Sequence, residues 1–161
     1  MVSEYQELSN RIIRLYADKI IWFFACQYQK LDADIIDEYS RFVWWQRVCQ
    51  YQTLPIELLE KYSGKIFWYE VSKHQTLTEQ FIEKYKDKLY WREISGHQKL
   101  TLEFVDKHLN KIHFTELAKN MNLTPDIVTA YKDKFDITLL RKHQPKSFFA
   151  EEYKSKNCII S

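Results

Sequence analysis

The chain has 161 residues, 45% of them hydrophobic, with 24 Lys and Arg against 22 Asp and Glu. That is one ordinary domain's worth of chain, able to bury a core without disulfides or metal and too apolar to be disordered except at its ends. Only two glycines occur, which excludes hairpin-rich β structure and glycine-rich phosphate loops, and the near-neutral charge does not mark a nucleic-acid binder, although a local stripe can act where the total does not.

The chain opens MVSEYQELSN, with no basic stretch leading into an apolar run, so no signal peptide is expected. IIWFFAC (residues 20–26) is the longest apolar run and is far short of the roughly 20 residues a bilayer requires. Cys26, Cys49 and Cys158 are odd in number and form no C-x-x-C, so an intracellular, cytoplasmic setting is expected.

After a polar lead-in (1–7), leucine recurs at Leu8, Leu31, Leu54, Leu77, Leu100 and Leu123, always 23 residues apart. Taking that leucine as position 0, position 4 reads Ile12, Ile35, Leu58, Phe81, Phe104, Ile127, and position 8 reads Tyr16, Tyr39, Tyr62, Tyr85, His108, Tyr131. Position 14 is Trp22, Trp45, Trp68, Trp91, Phe114, Ile137, and position 21 is Gln29, Gln52, Gln75, Gln98, Met121, Gln144. Six copies in register over about ten such columns define repeats 8–30, 31–53, 54–76, 77–99, 100–122 and 123–145. The spacing of positions 4, 5 and 8 predicts a first helix, N-capped at position 1 by Ser9, Asp32, Thr78, Thr101 or Thr124. Polar turns such as KDK follow, and positions 14, 17 and 21 predict a second helix ending near position 20. Helices this short are unstable alone, so each repeat needs its neighbours. The expected fold is all-α: a right-handed α-solenoid of six 23-residue helix-turn-helix repeats, a single domain over 8–153. Phe149 and Tyr153 in a partial seventh unit (146–153) supply a truncated C-terminal capping helix, ahead of a loose tail (154–161).

The run LTEQFIEKYKDKLYWREISGHQKLTLEFVDKH resembles a class of short two-helix repeats in proteins of large DNA viruses and phages. The resemblance covers about residues 8–144 and is sharpest in repeats three and four. It loosens in five and six, where Phe114 and Ile137 replace tryptophan. It implies a viral or phage protein, and with it a host or defence factor as partner, but no activity. Its period separates it from tetratricopeptide, ankyrin and HEAT repeats.

No Ser/His/Asp pattern, zinc motif, Walker loop or dinucleotide loop is visible, so no enzyme, cofactor or metal site is expected. His74, His97 and His143 recur at position 20 beside Tyr28, Tyr51 and Asn120, a column that suits the end of a helix better than convergence on one ion. The glutamines of position 21 suit the backbone groups of the inter-repeat turn. Cys26 and Cys49 share position 18 with Ser72, Ser95 and Ala118, a small-residue packing column.

Three surfaces can bind. Acids at positions 3 and 6 (Asp34, Asp37, Glu57, Glu60, Glu83, Glu103, Asp106, Asp126) form a stripe. It reads as a solvated face with i,i+4 pairs Glu57–Lys61 and Glu103–Lys107, or as a dock for a basic partner or a nucleic-acid mimic. Lysines at position 11 (Lys19, Lys65, Lys88, Lys111, Lys134), broken by Phe42, can track a phosphate backbone. Position 13 runs Ile21, Trp44, Phe67, Tyr90, His113, Asp136, and Phe23 and Phe24 stand where later repeats carry Arg92, Glu93, Thr115 and Glu116. These aromatics either pack under residues 1–7 or form an exposed patch for a protein partner or a second copy. The candidate partner-binding residues are Phe23, Phe24, Trp44, Arg47, Phe67, Tyr90 and Arg92. The chain's last four residues, Cys158 to Ser161, match the C-a-a-X pattern, which would make Cys158 a prenylation site and the protein a peripheral membrane adaptor.

Overall fold

The computed structural model describes residues 7–149, the side chain of Ser147 excepted; Tyr153 and Cys158 lie outside them. Among the described residues all regular structure is helical. The first helices of the repeats are α1 (Asn10–Leu15), α3 (Ala33–Glu38), α5 (Ile56–Lys61), α7 (Glu79–Lys84), α9 (Leu102–Lys107) and α11 (Pro125–Ala130). The second helices are α2 (Trp22–Tyr28), α4 (Trp45–Tyr51), α6 (Trp68–His74), α8 (Trp91–His97), α10 (Phe114–Leu117) and α12 (Ile137–His143). Both series start every 23 residues, in step with the leucines. At about 1.5 Å per residue a helix of six or seven residues is only about 10 Å long, so packing holds it rather than propensity.

The turns explain the shortage of glycine. Each first helix ends on its position-8 residue at φ between −105° and −123°. Its carbonyl then accepts N–H groups from the turn, as Tyr39 accepts from Phe42 and Val43, and Tyr62 from Lys65 and Ile66. No described residue has positive φ, so no turn requires glycine.

The chain divides into two compact units between Leu89 and Tyr90. In the first unit α2 packs on α4 and α4 on α6. Ala25, Val48 and Val71 (position 17) and Ile35, Ile36, Leu59 and Ile82 (positions 4 and 5) form its core. Each tryptophan reaches forward onto the position-8 tyrosine of the following repeat: Trp22 on Tyr39 at 5.0 Å, Trp45 on Tyr62 at 4.5 Å and Trp68 on Tyr85 at 5.0 Å. The indole N–H groups of Trp22 and Trp45 donate to the carbonyls of Ala17 and Ser40. In the first repeat Ile12, Leu15 and Tyr16 are exposed.

In the second unit α8 packs on α10 and α9 on α11. The same relay continues with Trp91 on His108 and Phe114 on Tyr131. Ile137, in the last repeat, is exposed. Over Lys146–Phe149 the chain forms a 3-10 helix in which Phe149 is buried; the rest of the expected capping helix lies outside the described residues.

The expected caps form at Ser9, Thr78 and Thr101, whose hydroxyls accept from the amides of Ile12, Phe81 and Phe104. Asp32 and Thr124 make no such bond. The Asp32 carboxylate is taken by the Asn10 amide of the repeat before, and the Thr124 hydroxyl by Asp126.

Candidate functional site

Position 13 is the N-cap of every second helix. Its backbone is extended, φ between −76° and −96°. Ser, Thr, Asp and Asn are favoured at an N-cap because their side chains accept an orphan N–H. Asp136 does so, accepting from Thr138 and Leu139. Ile21, Trp44, Phe67 and Tyr90 cannot, and their side chains remain 48–55% exposed. Four consecutive repeats thus forgo a cap worth about 1 kcal/mol and hold an apolar or aromatic group in water.

What the N-cap backbone needs instead comes from position 18. The Trp44 N–H donates to Cys26 Sγ at 3.4 Å, and the Phe67 N–H to Cys49. In the second unit the His113 N–H donates to Ser95 Oγ at 3.0 Å, and that hydroxyl donates to the Trp91 carbonyl. Burial pushes both the Cys26 and Cys49 thiols up to about 11, which makes them poor nucleophiles.

Of the candidate residues, the fold gathers Phe23, Phe24, Trp44 and Arg47. Phe23 meets Trp44 edge-on at 5.2 Å and Phe24 at 5.3 Å, and Phe24 stacks on Tyr28. The Arg47 guanidinium lies 4.5 Å from the Phe23 ring centroid and 5.7 Å from that of Tyr51, and donates to Gln27 Oε1 at 2.7 Å. Phe23 and Phe24 are half-buried, whereas Trp44 is exposed. Phe67 holds the equivalent place on α6, the packed neighbour of α4. Tyr90 and Arg92 belong to the second unit, where Tyr90 holds the N-cap position of α8 without a side-chain cap bond and Arg92 pairs with Glu116 at 2.6 Å. Arg92 and Lys119 hold the Glu116 carboxyl below its ordinary value, Lys119 more strongly.

Two tyrosines absent from the expected set complete this face. Tyr28 and Tyr51, at position 20 of adjacent repeats, are 49% and 45% exposed and flank a hollow of about 370 Å³. A signal was present: they are aromatic where later repeats carry His74, His97, Asn120 and His143.

The other columns are occupied by neighbouring repeats. The position-11 lysines lie over rings, Lys88 over Trp68 at 5.3 Å, Lys111 over Trp91 at 5.2 Å and Lys134 over Phe114 at 5.6 Å. Phe42, the exception in that column, stacks on Trp22 instead. The acidic stripe is partly spent in the same way. Lys61 bonds both Asp37 oxygens, at 2.6 and 2.8 Å, and Tyr62 donates to the same carboxylate. The expected Glu57–Lys61 pair does not form because Lys61 turns to the preceding repeat. Lys84 likewise reaches Glu60, and Tyr131 reaches Asp106. The histidine column pairs along its own helices, His74 with Glu70 and His97 with Glu93. No cluster of three or more His, Cys, Asp or Glu side chains suited to a metal occurs among the described residues.

Position 21 ties repeat to repeat. Gln52 accepts from the Leu31 amide at 2.9 Å and donates to the carbonyls of Cys26 and Gln29 at 2.8 and 2.7 Å; Gln75 repeats the pattern on Leu54, Cys49 and Gln52. In repeat five the role slips by one residue. Asn120 donates to the carbonyls of Ser95 and Gln98, while Met121, in the glutamine column, is 94% exposed. The short α10 ends early enough for Asn120 to reach the site.

The class that fold and surface define is an all-helical protein of 23-residue sequence repeats. No helix among the described residues is long and apolar enough to cross a membrane. Comparison with protein-family models, curated proteins and solved structures finds no match in any of the three.

Proposed function

We propose that this chain is a non-enzymatic protein-binding module, docking its partner on the outer face of α2, α4 and α6. One observation carries the proposal: Ile21, Trp44 and Phe67 occupy N-cap positions where a polar residue would stabilise the helix, and they stay about half exposed. A side chain that costs stability and remains in water calls for a use outside the fold. Aromatic groups with an adjoining arginine make up the usual energetic centre of a protein interface, and Phe23, Phe24, Trp44 and Arg47 supply both. The nucleic-acid reading loses support because the lysine row is engaged with rings.

The scaffold of the module, on this reading, is the right-handed α-solenoid of six repeats, supported by the unbroken 23-residue period of both helix series. Resemblance to repeats of large DNA viruses and phages points to a host or defence protein as the partner. Buried free thiols at Cys26 and Cys49 accord with an intracellular setting.

The test is quantitative capture from the native host by the full chain and by the Phe24→Ser, Trp44→Ser double variant, with thermal melts of both. Loss of specific partners at an unchanged melting temperature is expected. Undiminished capture by the variant would remove this face as the docking surface.

A further inference from the structure

Three cations on the first helices of the first unit are spent on acids of neighbouring repeats: Arg14 on Glu38, Lys61 on Asp37 and Lys84 on Glu60. The second-helix side is different. Residues 20–30, 43–53 and 66–76, which contain α2, α4 and α6, hold three cations, Lys30, Arg47 and Lys73, and one acid, Glu70. Glu70 is buried, accepts from Gln46 at 3.2 Å and lies 3.5 Å from His74. Among the described residues no carboxylate lies within ion-pair distance of any of the three cations.

Arg47 is held in place without one. It is half-buried, its guanidinium sits 4.5 Å from the Phe23 ring centroid and 5.7 Å from that of Tyr51, and one N–H is committed to Gln27 Oε1. A guanidinium carries several N–H donors in a rigid planar fork, so a single neutral acceptor leaves most of them for an outside group. Solvent screens a half-buried charge less than an exposed one, and a side chain already held loses little freedom on binding. A carboxylate matches the fork with two parallel charge-assisted bonds. Beside Arg47, Trp44 is 55% exposed and meets Phe23 edge-on at 5.2 Å. The chain that brings the carboxylate must therefore also bring an apolar side chain to cover the indole.

Phosphate fits the same fork, but a single-stranded nucleic acid also needs bare ring faces on which its bases stack. Phe23 has the guanidinium over its ring and edge contacts to Phe24 and Trp44. One cation per repeat on this side is also sparse for a backbone charged at every nucleotide.

We infer, on the protein-binding reading, that the partner segment seated on α2 and α4 is acidic and apolar. An Asp or Glu side chain of the partner takes the free donors of Arg47, and an adjacent aromatic or aliphatic side chain covers Trp44. Lys30 after α2 and Lys73 in α6 add to the same charge preference.

The test is selection of random linear peptides displayed on phage against the full chain, then titration of the selected peptides by fluorescence anisotropy. Enriched peptides should place an acid beside an aromatic or aliphatic residue. Arg47→Gln should weaken such a peptide about tenfold or more, the loss expected when a charged hydrogen bond is removed. Arg47→Lys keeps the charge without the fork and should weaken it less; it serves as the second variant should Arg47→Gln fold poorly. Lys84→Gln, on the first-helix side, should leave the affinity unchanged. Basic or uncharged selected peptides, no enrichment, or affinity unmoved by both Arg47 variants would overturn the inference. So would tighter, Arg47-dependent binding of oligothymidylate, which would make the ligand a nucleic acid, or self-association that Arg47→Gln dissolves, which would make it a second copy. If uncharged peptides are selected and Phe24→Ser, Trp44→Ser abolishes their binding, this inference falls and the protein-binding reading stands.

Discussion

A sulfur at Cys49 and a hydroxyl at Ser95 occupy the same column, and each accepts the N–H of the N-cap residue of a second helix in the next repeat. Ser in place of Cys49 keeps the acceptor, whereas Ala leaves the Phe67 N–H without one. Cys49→Ser should shift unfolding free energy by less than about 1 kcal/mol, and Cys49→Ala should lower it by about 1–3 kcal/mol, measured by urea titration. Asp37 is a second such residue. The Lys61 ammonium, and after it the Tyr62 hydroxyl, hold its carboxyl below the ordinary value of 3.8. Folding therefore favours the ionised form, and that contribution is complete above the ordinary value and lost as pH falls through the lowered one. Thermal melts of wild type and Asp37→Asn should differ at pH 7 and converge at the acid end. A gap that persisted unchanged into strong acid would refute the assignment.

At the scale of the element, the second helices are too short to keep their own ends satisfied. The carbonyl of Cys26 is one of the orphans at the end of α2, and Gln52 of the next repeat donates to it. Gln52→Ala strands the Leu31 amide and the Cys26 and Gln29 carbonyls together. Each lost partner costs about 1–3 kcal/mol, so a total above about 3 kcal/mol is expected by chemical denaturation, while Met121→Ala should be close to silent. The opposite ends of these helices give a stabilising test. His113 caps α10 without a side-chain bond and is exposed. Aspartate there can cap as Asp136 does, and His113→Asp should add about 1 kcal/mol. No gain would mean that the N-cap geometry is not open to capping, and would weaken the claim that Ile21, Trp44 and Phe67 sacrifice stability for exposure.

For the whole molecule, charge and aromatics carry different messages. A net charge of +2, with lysines held over rings and acids bridged between repeats, leaves little free field to attract phosphates. Affinity for duplex DNA should therefore be weak and change little with salt. A log–log slope of about −4 or steeper, the mark of four or more neutralised phosphates, would restore the nucleic-acid reading.

Helix existence, the core columns and, α10 excepted, helix boundaries to within a residue or two were legible in the 23-residue period, because burial pattern and helix pitch are local properties of each repeat. The aromatic cluster was half legible: Phe23, Phe24 and Trp44 stood out as departures from their columns, and Tyr28 and Tyr51 departed as plainly but read as helix ends. What each polar side chain bonds was decided only by tertiary structure. Lys61 has Glu57 four residues away yet bonds Asp37, Gln52 reaches back to Cys26, and Asn120 replaces Met121 because α10 is short. The reason is one of distance along the chain. These partners lie in the adjacent repeat, and which side chains of one repeat meet the next is set by packing, which no single 23-residue stretch encodes alone.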